Sequence, residues 1–261
     1  MVIGMVFSVL FGLAVGSFLN VCIYRLPLKK SIVSPPSSCP ACGERIRFYD
    51  NIPVISYVFL LGRCRHCRHP ISPQYPVVEA ATGLLSLALF LKMGASLEYV
   101  FFMLFGASLI AITFIDLQHK IIPDVLSLPG IVVGFAVSLF SLSSLSWIDS
   151  LIGMVAGGGF LLLVSIAFEK LTGREGMGMG DVKMLAMIGA WMGWRSLLFI
   201  VLVSSLSGSL IGGALLALSR QGARTRIPFG PFLALGSLIY LFFGQELLFW
   251  FNHLGQAGVV P

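Results

Sequence analysis

Two sets of residues in this chain can do chemistry by type and spacing. The first is a set of cysteines, Cys39-Pro-Ala-Cys42 and Cys64-Arg-His-Cys67, two CxxC pairs separated by 21 residues. Each CxxC turn aims two thiolates at one point, and two such turns complete a tetrahedral metal site. Four thiolates leave no open position, so the spacing predicts a structural zinc ion, one per chain, that folds a ribbon-like loop. Two disulfides or reactive thiols are the alternatives. The arginines around both pairs help to hold thiolates ionised. His66 and His69 are spare donors, expected at the surface. The fifth cysteine, Cys22, falls in an apolar run and is expected to serve packing.

The second set is acidic. The chain holds only 11 Asp and Glu residues, so each one beside an apolar run matters. Asp116 closes one such run, and Asp181 opens another after Gly176-Met-Gly178-Met-Gly180. An acid at lipid depth is costly and points to function. Two carboxylates brought together there cannot both ionise cheaply, so they share a proton. The ionised one can take a proton from water, and the protonated one can give a proton to a scissile carbonyl or leaving amine. The pair Asp116 and Asp181 is thus expected to be catalytic. Glycines before Asp181 would let a backbone approach closely. The structural alternatives are a helix cap for Asp181 and pairing with Lys120 or His119 for Asp116. Asp124, just after Pro123, is the rival of Asp116, and capping of the next helix explains it.

The elements that must position these groups follow from composition. Of 261 residues, 57% are apolar and 11% charged, and the mean hydropathy is +0.96. This excludes a disordered chain and a soluble domain, which carries roughly 25% charged residues. Continuous apolar runs fall at about 5–22, 77–91, 99–115, 125–140, 148–168, 182–194, 197–218 and 232–251. They do not alternate, so they read as helices in lipid rather than a barrel. The expected fold is all-α: a polytopic membrane protein of about eight transmembrane helices, with the least certain boundary at 193–195. A division follows into a first helix (1–24), a zinc-binding loop (25–76) and a membrane core (77–261).

Sidedness is read from the 17 Lys and Arg residues. Fifteen fall in loops of one parity: eight in the segment after the first run, then Lys120, then Lys170, Arg174 and Lys183, then Arg220, Arg224 and Arg226. Only Lys92 and Arg195 fall in the others. Such a split places the cysteine loop and both aspartates on the cytosolic side. The net charge of +6 is then topology rather than a nucleic-acid footprint. Membrane lipid is an expected partner and nucleic acid is not. Arg226 would meet lipid headgroups or a substrate at that edge.

In this order the motifs resemble those of the bacterial prepilin peptidases, membrane aspartic proteases with a Gly-x-Gly-Asp motif. The resemblance runs through Gly16-Ser-Phe-Leu-Asn20-Val-Cys-Ile-Tyr-Arg25-Leu-Pro27, both CxxC pairs, Asn51-Ile-Pro53 and Tyr75-Pro-Val-Val-Glu79. It continues through the Asp116 stretch, Gly178-Met-Gly-Asp181-Val-Lys183 and Ile227-Pro-Phe-Gly230-Pro231. It implies an inner-membrane enzyme that removes the basic leader of type IV prepilins and pseudopilins after a glycine. It implies Asp116 and Asp181 as the catalytic pair. It also implies methylation of the freed N-terminal residue with S-adenosylmethionine as donor, an activity associated with the N-terminal part and its cysteine loop. Asn20, Arg25, Glu79 and Lys183 then become expected binding residues for substrate or cofactor. A methyltransferase without proteolysis and a proton-coupled transporter are the rival readings.

Overall fold

The computed structural model describes residues 1–140, 145–173, 178–218 and 228–256. Arg174, Gly176, Arg220, Arg224, Arg226 and Ile227 lie outside the described residues. The elements are α1 (Val2–Arg25), a short α2 (Ile55–Phe59), α3 (Gln74–Met93), α4 (Leu97–His119), α5 (Asp124–Leu139), α6 (Trp147–Thr172), α7 (Met179–Met192), α8 (Trp194–Leu218) and α9 (Gly230–Gln256). Among the described residues the only β-pairing is two isolated bridges in the cysteine loop.

Each apolar run lies on a helix of its own. Five of those helices, α1, α3, α4, α6 and α8, are long and apolar enough to cross a membrane by length and composition. Asp124–Leu139 and Gly230–Gly244 are shorter apolar stretches. The break between the sixth and seventh runs falls at Gly193, whose φ of 76° ends α7 and lets α8 start at once. A residue with a Cβ adopts that conformation only with strain.

The chain forms two compact units, Met1–Ile115 and Asp116–Pro261. In the first, α1 and α3 pack through small residues. A Cβ on Gly12 would lie 2.5 Å from Ser86 Cβ, and one on Gly16 would lie 2.7 Å from the Glu79 Cα. Lipid offers no hydrophobic drive between helices, so close backbone approach and buried hydroxyl bonds hold such a pair. The Ser86 hydroxyl donates to the Ser8 carbonyl at 2.5 Å, and Thr82 bonds its own helix at Val78.

In the second unit, α7 is the central element. Every residue from Met184 to Trp191 is buried, which explains why that stretch of α7 is apolar all round. The α5 glycines 130 and 134 make room for Met187 and Trp191, and the Trp191 indole donates to the Gly130 carbonyl at 2.8 Å. On the α6 side, Gly153 and Gly189 meet backbone to backbone, and the Ser150 hydroxyl donates to the Ala190 carbonyl at 2.6 Å. Gly153→Ala would drive a methyl group into the Gly189 carbonyl. It is expected to lower the thermal midpoint of the purified protein by roughly 5–10 °C. Gly159→Ala, where a Cβ meets nothing within 4 Å, should leave it unchanged. Thermal unfolding of the two variants in detergent checks this.

Candidate functional sites

The cysteine loop of the first unit builds its site from two matched turns. Cys39 N–H donates to the Glu44 carbonyl, and Gly43 N–H returns to the Cys39 carbonyl, both at 2.9 Å. In the second turn, Cys64 N–H donates to His69 at 2.9 Å, and Arg68 N–H returns to Cys64 at 3.0 Å. The residue after each pair, Gly43 or Arg68, has positive φ (72° and 59°). Each turn is closed by a bridge, Ser38 to Arg45 and Arg63 to Pro70. A fork from Arg65 to Asp50, with bonds of 2.6 to 3.0 Å, ties the second turn to the preceding segment.

These turns bring all four Sγ atoms within 4.8 Å of one another. Thiolates at about 2.3 Å from a tetrahedral zinc stand roughly 3.8 Å apart. Cys39 Sγ and Cys67 Sγ are 3.8 Å apart, so the donor set fits a four-coordinate metal. The turns lower the first thiol of each pair, while the neighbouring sulfurs of Cys67 and Cys39 push Cys42 up to about 11. The Cys42 N–H, donating to Cys39 sulfur, holds that thiol down at about 7. The Cys67 and His66 N–H groups lower Cys64 in the same way. His66 and His69 are exposed and outside the cluster, and Cys22 is buried in α1.

The remaining expected residues of this unit fall around a cavity of about 710 Å³ beneath the loop, lined by Asn20, Arg25 and Glu79 among others. Arg25 donates to the Ser31 and Pro35 carbonyls at 2.9 and 2.7 Å and so shapes the start of the loop. Glu79 is buried on α3 and accepts the Val54 N–H at 2.7 Å. Asn20 is buried on α1, and its amide donates to the Tyr75 carbonyl at 3.1 Å.

In the second unit the two aspartates come together although 65 residues separate them. Asp116 is buried, and its Oδ2 accepts the Gly230 N–H at 3.0 Å. That N–H belongs to the first turn of α9, one of the donors a helix leaves free. Asp181 stands in the first turn of α7, half-buried, and its carboxylate feels the charge of Asp116. Gly180 and Gly230 both abut Ile122, where an added Cβ would lie 2.9 and 3.4 Å from its side chain. Three helix ends therefore meet at one point: the last turn of α4 and the starts of α7 and α9.

Asp124 is placed differently. It is exposed in the first turn of α5 and pairs with Lys183 at 2.7 Å. Lys183 is thus engaged by Asp124 rather than by the buried pair. The sequence alone gives Gly230 no part. Its only signal was Gly-Pro at the start of an apolar run, and its contact with Asp116 spans 114 residues. Nor does the sequence single out Ser17 and Val54, both on Glu79, or Ile122.

Fold and sites together define a class: a helical membrane protein with a four-thiolate loop in one unit and two adjoining carboxylates at helix ends in the other. Comparison with known proteins is specific. Residues 10–93 match the bacterial peptidase A24 N-terminal domain, and residues 103–213 match the type IV leader peptidase family. A relative from Pseudomonas putida, named prepilin leader peptidase/N-methyltransferase, is 38% identical over 90% of this chain and 89% of its own length. Relatives of the same name from Burkholderia pseudomallei and Aeromonas hydrophila are each 39% identical. The first covers 91% of this chain and 85% of its own length, the second 93% and 91%. No solved structure matches. The chain belongs to the type IV leader peptidase family.

Proposed function

We propose that this protein cuts the basic leader from type IV prepilins and pseudopilins at the cytosolic face of the inner membrane. It then methylates the new N-terminal residue with S-adenosylmethionine. The observation that carries the proteolytic half is the meeting of Asp116 and Asp181 at three helix ends, with the Gly230 N–H fixing one carboxylate. The pair shares one proton. The ionised carboxylate takes a proton from the attacking water as its oxygen bonds the scissile carbonyl carbon. The protonated carboxylate donates to the amide nitrogen as the C–N bond breaks. Gly178, beside the Asp181 carboxylate, leaves room for an extended substrate backbone, whereas Gly180 serves the packing against Ile122.

Cleavage belongs to the 77–261 core and methylation to the loop at 25–76 with the helices beneath it. Zinc is the metal the four thiolates would hold, and its part is to fold the loop. S-adenosylmethionine supplies the methyl group, and the cavity of about 710 Å³ is within the range for a ligand of that size. The 15-to-2 partition of Lys and Arg supports the sidedness. The leader of the substrate obeys the same charge rule, which keeps it in the cytosol while its apolar helix enters the lipid. Lys183 meets the substrate side through its pair with exposed Asp124. Membrane lipid surrounds the spans, and nucleic acid has no part.

One substitution tests the geometry directly. A Cβ on Gly230 would lie 2.8 Å from Asp116 Oδ2. The carboxylate is the group that yields, so Gly230→Ala is expected to slow cleavage by about a hundredfold with little change in thermal midpoint. Cleavage of a pilin precursor in detergent, read beside a melting curve, checks it. Wild-type rates in the variant would remove the Asp116–Gly230 contact from the mechanism.

A further inference from the structure

The cavity under the cysteine loop contains a carboxylate and an amide oxygen whose needs the loop and the helix packing meet only in part. Glu79 is 7% exposed and Asn20 is 5% exposed, yet both line a cavity. Glu79 takes bonds from the Val54 N–H and the Ser17 hydroxyl and is paired with no cation among the described residues. A buried carboxylate without a counter-charge is costly. The amide nitrogen of Asn20 donates to the Tyr75 carbonyl through one of its N–H groups, which fixes its orientation, and its Oδ1 is buried with no partner. The two lie one turn apart along the α1–α3 seam. Glu79 stands at Gly16 and Ser17, and Asn20 stands at Tyr75, four residues before Glu79.

The wall that meets Glu79 is held under strain. Val54 has φ 60° and ψ −48°, and Ile55 N–H reaches back to the Pro53 carbonyl at 2.6 Å. A β-branched residue in a γ-turn of that hand is rare, and such strain gathers at ligand sites. It turns the Val54 N–H onto Glu79.

We propose that Glu79 and Asn20 form an acceptor subsite for a primary ammonium group. A carboxylate oxygen and an orphan amide oxygen in one buried wall match a cation with three N–H donors. This rests on the methyl-transfer reading above. Two participants in that reaction bring such a group: the α-amino group of the methyl donor and the freed N-terminus of the cleaved substrate.

The test uses the purified full chain in detergent, with S-adenosylmethionine and a precleaved pilin peptide, each varied at saturating levels of the other. Glu79→Gln keeps an oxygen for the Val54 N–H and removes the charge. It is expected to raise one KM by about tenfold to a hundredfold. Asn20→Leu, which leaves the Glu79–Val54 tie in place, moves the same constant in the same direction. A rise for the donor assigns the subsite to its α-amino group, and a rise for the peptide assigns it to the freed N-terminus. Melting curves and bound metal at wild-type levels show that the variants are folded. If both variants methylate with both KM values unchanged, the subsite is overturned while the methyl-transfer reading stands. If the wild-type chain transfers no methyl group, that reading fails and takes the subsite with it.

Discussion

Asp116→Asn and Asp181→Asn are each expected to cut leader cleavage by about 10²- to 10⁴-fold, whereas Asp124→Asn retains most of it. Asparagine keeps the shape of the side chain and can still accept from the Gly230 N–H, so Asp116→Asn should preserve the junction of α4 and α9. What it loses is the ability to hold or release a proton. In the pair this is decisive, because one member must take a proton from water while the other gives one up. Asp124 differs by its surroundings. It is exposed and paired with Lys183 at 2.7 Å, and an ion pair of that exposure contributes little to stability. Cleavage of a pilin precursor by the three variants, with expression and melting curves alongside, reads the difference. Equal cleavage by all three would make the buried carboxylates structural and bring the methyltransferase-only and transporter readings forward.

Cys39→Ser is expected to release the metal and abolish methylation. A closed four-thiolate zinc site contributes on the order of 10 kcal/mol to the fold that it organises. Among the described residues, the rest of the loop is held by scattered bonds, among them two isolated bridges, Arg25 to the Ser31 and Pro35 carbonyls, Ser56 to Tyr49, the Arg65–Asp50 fork and the tie from Val54 to Glu79. Losing one of four ligands should therefore expose the loop to protease and take bound zinc from about one per chain to well below that. Both aspartates belong to the unit from 116 onward, so cleavage should survive where methylation does not. Metal content by mass spectrometry, limited proteolysis and the two activities measured side by side check this. Unchanged metal content would refute the four-thiolate site.

Much of the fold was legible because lipid imposes a simple rule. Every spanning backbone must satisfy itself, so continuous apolar runs become helices, and all eight runs did. The cysteine loop was legible because CxxC is a local geometry. Two turns of a few residues each carry their own hydrogen bonds, and the repeat at Cys39 and Cys64 is visible in the sequence. The break between the sixth and seventh runs was the boundary that the sequence left open, and the structure puts it at Gly193, whose positive φ lets one helix end beside the next.

The sequence by itself determined the helices, the four thiol donors and the two acids that border apolar runs. These depend on residue type and on neighbours within a turn or two. Only the tertiary structure decided which groups meet. It set Asp116 against Gly230 across 114 residues and placed Asp124 with Lys183 instead. It buried all faces of α7 from Met184 to Trp191, and it left Asn20 Oδ1 without a donor in the cavity that Glu79 also lines. The reason is that such contacts are set by small residues, Gly12, Gly16, Gly153 and Gly189 among them, whose closeness fixes the helix register. A glycine in a sequence shows that backbone can approach, but not which backbone does.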